Sequence, residues 1–262
     1  MENNNINAAH EAVITDFDFK MIAEFFSALP QQGPGSDAMT LRAMKYLSSI
    51  PRDARIADLG CGTGRQTALL AKSFPEAEIL AEDLLPEALE GLKSRMIVNH
   101  INNVYPVECS MDALPWEKES LDVIWAEGSI YNIGFERGLG YWHDFLKPSG
   151  ILALTDCCYL LDERPDDDGW LERNFVDITF VADKVAIMER KGYKLLGSFS
   201  LPSSCWTEDY YKPMLPAMAR FLSDNPGNPT AEFFVARLHE EMDHYKRFGA
   251  YYGYVFFIAR KV

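Results

Sequence analysis

The stretch Asp58-Leu59-Gly60-Cys61-Gly62-Thr63-Gly64 lies between a short apolar run at 55–59 and an alanine- and leucine-rich run at 68–71. The first run predicts a strand and the second a helix, so the glycines occupy a strand-to-helix turn. Glycine permits positive φ angles and allows a ligand to approach the backbone closely. The start of the helix also offers unpaired N–H groups to an anion. The stretch therefore predicts a binding turn, with a glycine-rich turn that binds nothing as the alternative.

Strands and helices alternate on both sides of this turn. Strands are predicted at 55–59, 79–83, 104–108, 121–126 and 151–154, and again near 194–201 and 252–259. Residues 16–29 and a segment beginning at Asp37 are predicted to be helical, whereas residues 203–228 are expected to be irregular. Such alternation predicts an α/β fold with a mostly parallel sheet and right-handed crossovers.

Two adjacent acids end the second predicted strand. Asp83 follows Asp58 by 25 residues, and an acid at such a strand end can accept hydrogen bonds from both hydroxyls of a ribose. Glu82 is the rival candidate. Because side chains alternate along a strand, one of the two is expected to bind and the other to be solvated or paired.

The spacing of the glycines differs from that of a dinucleotide-binding turn. A dinucleotide-binding turn has the spacing GxGxxG, whose third glycine would stand where this chain has Arg65. Arg65 therefore argues against a nicotinamide-dependent oxidoreductase, which is kept as a less favoured alternative.

Composition and charge exclude several other classes. The chain has 262 residues with 25 Lys and Arg against 39 Asp and Glu, a net charge of −14 that disfavours nucleic acid as a partner. Five cysteines without a CxxC pair indicate a reducing compartment, and we find no metal-binding pattern. No run of 18 apolar residues occurs, and the first ten residues do not resemble a signal peptide. We therefore expect a cytoplasmic protein with no membrane span.

Five segments in series resemble one family. The segments 58–64, 79–84, 114–116, 121–125 and 146–150 match the class I S-adenosylmethionine-dependent methyltransferases in order and spacing. Within that family the chain is most similar to the small-molecule branch that includes the ubiquinone and menaquinone C-methyltransferases. The resemblance implies a Rossmann-like, seven-stranded, mostly parallel sheet with an antiparallel last strand. It also implies N-terminal helices, with residues 1–40 as a tail and cap, and a methyltransferase domain at 41–262 with a helical lid at about 202–248.

The resemblance also assigns roles around S-adenosylmethionine. The glycines would lie under its methionine and ribose parts, Asp83 would hold the ribose hydroxyls, and Leu84 would pack on the adenine. The family often has an acid where this chain has Ser110, so Met111 covering the ring and Asp112 supplying the carboxylate are alternatives. The expected cofactor-binding residues are Gly33, Asp58, Gly60, Gly62, Gly64, Gln66, Asp83, Leu84, Ser110, Met111, Asp112, Glu127 and Gly128.

The expected reaction is in-line transfer of the methyl group to a small-molecule acceptor. Glu127, Tyr131 and Asp156 are the expected catalytic residues, and the candidates for a general base are Glu127, His143 and Asp156, in that order. Candidates for an aromatic pocket or lid are Phe17, Phe19, Gly33, Pro34, Trp206, Tyr210, Tyr211, Tyr251 and Tyr252. A non-catalytic S-adenosylmethionine-binding protein is the second hypothesis. The oligomeric state is left open, with a homodimer as one alternative.

Overall fold

A single mixed sheet forms the centre of the computed structural model, which describes the backbone from residue 16 to residue 262 and side chains from Lys20 onward. Its strands are β1 (Arg55–Leu59), β2 (Glu78–Asp83), β3 (Val104–Glu108), β4 (Leu121–Glu127), β5 (Leu146–Tyr159), β6 (Thr179–Phe180), β7 (Tyr193–Ser200) and β8 (Tyr252–Lys261). The main path has the order β3-β2-β1-β4-β5-β8-β7, and β6 pairs with β5 off that path.

The pairing confirms a mostly parallel sheet whose last strand is antiparallel. Strands β1 to β5 pair in parallel, whereas β8 runs antiparallel to both β5 and β7. The prediction of seven strands misses β6, which pairs only Thr179 and Phe180 with the end of β5. Two residues are too few for hydrophobic periodicity to reveal a strand.

The helices are α1 (Asp16–Ser27), α2 (Asp37–Met44), α3 (Arg65–Ser73), α4 (Pro86–Val98), α5 (Phe135–His143), α6 (Trp170–Asn174), α7 (Val181–Arg190), α8 (Ser204–Trp206), α9 (Lys212–Asp224) and α10 (Pro229–Phe248). Capping side chains define two of their starts. Ser36 Oγ accepts a hydrogen bond from the N–H of Met39 at α2, and Asn228 Oδ1 accepts one from the N–H of Thr230 at α10. None of the described helices is long and apolar enough to cross a membrane.

The prediction that 203–228 is irregular is wrong. These residues form α8, a π-helical turn at Thr207–Tyr211 and α9. Trp206, Tyr210, Met214 and Met218 follow one another at four-residue intervals, and all four side chains are buried. That spacing forms a helical stripe, and burial of the stripe outweighs the presence of Pro216 inside α9.

The sheet brings the candidate site together at one edge. Side chains on its two faces enter separate apolar clusters, with Trp125 and Phe256 in one and Ile124 and Phe257 in the other. Because both faces are covered, ligands have access at the carboxyl ends of the parallel strands, where open α/β sheets bind them.

Candidate active site

A cavity of about 930 Å³ opens at the carboxyl ends of β1, β2, β4 and β5. Binding cavities usually measure roughly 300–1,000 Å³, so this one can hold a nucleoside-sized ligand together with a small second molecule. The expected site residues that line it are Gly33, Gly60, Gly62, Gln66, Asp83, Leu84, Ser110, Met111, Asp112, Glu127, Gly128, Tyr131 and Asp156. Two expected residues, Asp58 and Gly64, lie behind the wall.

The turn at 60–64 requires glycine for two reasons. Gly60 and Gly62 have φ angles of 67° and 56°, in the left-handed region. A Cβ on Gly62 would also lie 2.4 Å from Oε1 of Gln32, and a Cβ on Gly64 would lie 2.2 Å from Cδ1 of Leu92. Gly64 therefore serves packing against α4, whereas Gly60 and Gly62 face the cavity.

Asp58 supports the turn from inside the protein, which corrects its expected contact with the cofactor. Its side chain is fully buried, and Oδ2 accepts a hydrogen bond of 2.6 Å from Thr67 Oγ1 at the start of α3. Burial raises its pKa to about 7, and the negative charge of Glu127 adds to this effect. Asp58 thus fixes α3 to β1 without reaching the cavity.

Both acids at the end of β2 line the cavity, so the expectation that only one would face the site is wrong. Asp83 accepts hydrogen bonds from the N–H of Gly62 at 2.8 Å and from the N–H of Leu85 at 2.9 Å. The strand ends at Asp83, and the strict alternation of side chains ends with it. Burial raises the pKa of Asp83, although its backbone hydrogen bonds oppose the change.

Glu82 has an oxygen with spare accepting capacity. Its Oε2 accepts a hydrogen bond of 3.1 Å from the N–H of Gly60, while Oε1 is buried and finds no partner among the described residues. Burial raises the pKa of Glu82 to about 8, helped by the charges of Asp83 and Asp58. A buried oxygen without a partner is destabilising unless a ligand satisfies it. Glu82, the rival candidate of the sequence analysis, therefore offers an unpartnered oxygen to a ligand in the cavity.

The loop after β3 covers another part of the wall. Met111 of this loop lines the cavity, as does Leu84, which directly follows β2 and is 60% exposed. Asp112 accepts a hydrogen bond of 2.6 Å from Ser110 Oγ, and its other oxygen pairs with Arg137 at 2.8 Å. The hydrogen bond from Ser110, followed by the charge of Arg137, lowers the pKa of Asp112. Ser110 and Asp112 thus form one polar unit beside two apolar side chains.

Glu127 is held by three donors and is a poor candidate for a base. Arg65 Nη2 lies 3.0 Å from its Oε2, while Thr40 Oγ1 and Trp125 Nε1 lie 2.8 and 2.9 Å from its Oε1. Arg65 also pairs with Asp37 at the start of α2. Since these contacts occupy the carboxylate, Glu127 positions neighbouring groups. Sequence reasoning used Arg65 only as evidence against a dinucleotide and did not find this network.

The segment before α2 is bound directly to the glycine turn. The N–H of Thr63 donates to Gln32 Oε1 at 3.1 Å, and Gln32 Nε2 donates to the carbonyl of Phe26 at 3.0 Å. Gly33 and Pro34 line the cavity next to this contact. Gln32 thus joins the N-terminal segment to the site.

The remaining wall is aromatic and acidic. We define the acceptor wall as Tyr131, Asp156, Trp206, Tyr210, Glu241 and Tyr254, all of which line the cavity. Asp156 Oδ2 lies 2.5 Å from Nζ of the fully buried Lys184, so this candidate base is already paired. His143, the other candidate base, lies outside the cavity wall, with its ring 5.2 Å from that of Tyr193.

The other lid candidates divide into two groups. Trp206 and Tyr210 line the cavity, whereas Tyr211, Tyr251 and Tyr252 lie outside its wall. The side chains of Phe17 and Phe19 lie outside the described residues.

Glu241 is the acceptor-wall residue that sequence reasoning missed. It accepts a hydrogen bond of 2.9 Å from the hydroxyl of Tyr211, and burial raises its pKa. A signal for it exists in α10. Glu241 stands three residues after Leu238 and four before Tyr245, and therefore lies on the apolar face of the helix. A charged residue at such spacing is a candidate for a site.

Known proteins resemble the chain in the region that builds this site. A family model described as a methyltransferase domain matches residues 56–150, which include the glycine turn and the ends of β2 and β4. This region of the chain is a methyltransferase domain. The domain and the strand order together confirm the family predicted from the sequence.

Two similar proteins are both described as trans-aconitate 2-methyltransferases. Trans-aconitate 2-methyltransferase of Methylobacterium radiotolerans is 44% identical over 23% of this chain and 24% of that protein. The enzyme of the same name from Escherichia fergusonii is 27% identical over 66% of this chain and 67% of that protein. The chain thus spans only about a quarter of the first of these relatives.

A solved structure extends the likeness of the methyltransferase fold to nearly the whole chain. A SAM-dependent methyltransferase from Geobacter sulfurreducens, solved in complex with S-adenosyl-L-homocysteine, superimposes with a TM-score of 0.78. It is 19% identical and covers 93% of this chain and 98% of its own. At that identity the likeness confirms the fold.

Proposed function

We propose that this chain transfers the methyl group of S-adenosylmethionine to a small-molecule acceptor. The observation that carries the proposal is Glu82 Oε1, a buried acceptor without a described partner that lies beside Asp83 on the wall of the cavity. Two carboxyl groups at the end of β2 suit the two adjacent hydroxyls of a ribose. The same cavity continues to the acceptor wall, so both substrates have a place.

The residues present fit the cofactor. Gly60 and Gly62 offer a backbone surface without side chains, and Leu84 and Met111 offer apolar cover for an adenine ring. The bound cofactor would supply a methyl group on a positively charged sulfur. Glu127 and Asp37 share the single guanidinium of Arg65, so this group of three side chains keeps one net negative charge beside that part of the wall.

The acceptor wall supplies alignment and excludes water. Trp206, Tyr210 and Tyr254 are buried side chains that present rings to the cavity. Holding the acceptor in line with the methyl group can lower the barrier by about 7–11 kcal/mol in favourable cases. Aromatic faces near a positive charge contribute about 0.5–2 kcal/mol more. Catalysis of this kind requires a general base only when the acceptor must lose a proton.

The same proposal assigns roles to the two segments that flank the site. Gln32 joins the segment before residue 40 to the glycine turn, which supports a cap over the cofactor. The helices between β7 and β8, at 202–248, contribute Trp206, Tyr210 and Glu241 and would act as the lid.

The net charge and the cysteines of the chain support a proposal about its partners and its compartment. A net charge of −14 and an acidic wall make nucleic acid an unfavourable partner. Five free cysteines favour the reducing cytoplasm.

The test of the proposal has two steps. Calorimetric titration with S-adenosylhomocysteine should show one saturable site per chain, and NAD should not compete for it. Incubation with methyl-labelled S-adenosylmethionine and a small-molecule extract should then yield labelled products. Tight binding with no transfer to any fraction would favour the non-catalytic alternative, and binding of NAD alone would refute the assignment.

A further inference from the structure

The acceptor wall carries two carboxylates, and only one of them has its charge balanced. Asp156 is paired with Lys184, whose ammonium also lies 4.1 Å from the centre of the Phe135 ring. Both side chains of the pair are buried, so Asp156 and Lys184 neutralise each other. Asp156 therefore adds little net charge to the cavity.

Glu241 is the unbalanced carboxylate. Among the described residues its hydrogen-bond partner is the neutral hydroxyl of Tyr211. The guanidinium of Arg237 stands one turn earlier on α10, but it pairs with Glu240 and donates to Asn174 Oδ1 at 2.6 Å. The charge of Arg237 opposes the effect of burial on the pKa of Glu241, but Arg237 forms its ion pair with Glu240, so Glu241 presents a carboxylate without an ion-pair partner among the described residues to the cavity.

Aromatic rings surround that charge. Tyr131 and Tyr210 line the same cavity as Glu241, and the charge of Glu241 adds to burial in raising the pKa of both phenols. Trp206 stacks on Tyr245 at 4.6 Å and meets Tyr254 edge to face at 5.3 Å, which fixes the orientation of the rings. A carboxylate among oriented aromatic rings is the environment that proteins use to bind organic cations.

The cavity has no free cation to offer an anionic acceptor among its described residues. Its two guanidinium groups are Arg65, which is held by Asp37 and Glu127, and Arg237, which is held by Glu240 and Asn174. A polycarboxylate such as trans-aconitate would therefore meet Glu241 with no partner for its own charges. Recognition of a carboxylate normally requires Arg or Lys.

We propose that the methyl acceptor is a small amine that is protonated in water, bound through its ammonium by Glu241 and the rings of the acceptor wall. The inference rests on the proposed function and narrows it to transfer onto nitrogen.

The reaction balances with Glu241 as the base. The ammonium of the amine gives one proton to the Glu241 carboxylate, which leaves a lone pair on nitrogen. That lone pair forms the new N–C bond while the C–S bond breaks, and the electrons of the C–S bond remain on sulfur as a neutral thioether. The product is a methylated ammonium ion, and Glu241 then passes its proton to water.

The test compares three probes with a common body but different head groups. Phenethylamine, 4-ethylphenol and 3-phenylpropanoate are titrated separately into the protein saturated with S-adenosylhomocysteine. We expect the amine to bind at least about tenfold more tightly than the other two, as a charge pair plus cation–π contact implies. Preference for the phenol or the carboxylate, equal affinity for all three, or binding of none would overturn the proposal.

A matched pair of variants assigns the effect to one carboxylate. Glu241→Gln should weaken the binding of phenethylamine about tenfold or more. Asp243→Asn removes the same charge from an exposed position on the same helix and should leave that affinity unchanged. Equal effects of the two variants would refute the role of Glu241.

Titration with S-adenosylhomocysteine distinguishes a failure of this inference from a failure of the proposed methyltransferase function. Both variants should bind that ligand as the unaltered protein does, which shows that the cavity is intact. If S-adenosylhomocysteine fails to bind the unaltered protein, the methyltransferase function fails. If it binds and the probes contradict the expected order, only the amine inference fails.

Discussion

Replacing Glu82 with Gln should change how stability depends on pH. Glu82 is buried, and its pKa is about 8 in the folded protein against an ordinary value of 4.5 for a glutamate carboxyl in water. Between these two values the folded protein keeps a proton that the unfolded chain has lost. The contribution of Glu82 to the free energy of unfolding is therefore full below about pH 4.5 and is lost as the pH rises through 8.

The size of the effect follows from that pKa difference. Each pKa unit corresponds to 1.36 kcal/mol, so Glu82 accounts for a loss of up to about 5 kcal/mol between pH 4.5 and pH 9. Gln cannot ionise, and its side-chain oxygen can still accept the hydrogen bond from the N–H of Gly60. The variant should therefore match the unaltered protein near pH 5 and be more stable than it at pH 8 to 9.

Urea unfolding followed by circular dichroism between pH 5 and pH 9, without cofactor, measures this difference. Asp58, whose pKa is about 7 because of burial, adds a similar dependence to both proteins, so only the difference between the two curves is diagnostic. Glu108→Gln, on the neighbouring strand and exposed, is the control and should leave the curve unchanged. Parallel curves for the unaltered protein and Glu82→Gln would refute the reasoning.

Three further substitutions test other parts of the site. Asp83→Ala should weaken binding of S-adenosylhomocysteine and lower the free energy of unfolding by about 1–3 kcal/mol, because the N–H groups of Gly62 and Leu85 lose their acceptor. Calorimetry measures the affinity and urea unfolding measures the stability. Unchanged affinity would mean that the ribose binds elsewhere. Gly62→Val should abolish binding of S-adenosylhomocysteine, because φ is 56° and the new Cβ would meet Gln32; normal affinity would exclude the turn as the cofactor site. Lys184→Met should lower the free energy of unfolding by about 3–5 kcal/mol at pH 7, because it leaves Asp156 buried and unpaired. The double variant Lys184→Met with Asp156→Asn should recover part of that loss in urea unfolding. If Lys184→Met alone were as stable as the unaltered protein, the pairing would be contradicted.

Local signals account for what the sequence predicted well. The glycine turn could be predicted because the glycines at 60, 62 and 64 follow an apolar strand, and all three have positive φ angles in the structure. The strand at 104–108 is reproduced to the residue. Each of these features depends on neighbours in the chain.

Contacts between distant residues account for what the sequence did not predict. Glu127 was ranked first as a base, yet its partners Thr40 and Arg65 come from other elements, α2 and α3. Likewise, Asp156 lies in β5, whereas its partner Lys184 comes from α7, 28 residues later in the chain. No pattern within a single helix or strand predicts such pairs. Whether each carboxylate is ion-paired can therefore be determined only from the structure.

Two errors came from local signals that were weighed incorrectly. The segment 203–228 was predicted to be irregular, although its buried side chains repeat at four-residue spacing. Similarly, Glu241 lies within the apolar stripe of α10, where a charged residue deserved to be treated as a candidate.

A crystal structure of the protein with S-adenosylhomocysteine tests the central claim most directly. It should show both ribose hydroxyls within about 3 Å of carboxylate oxygens of Glu82 and Asp83, with the ligand resting on Gly60 and Gly62. A ligand bound away from the end of β2, with Glu82 Oε1 still lacking a partner, would contradict the account.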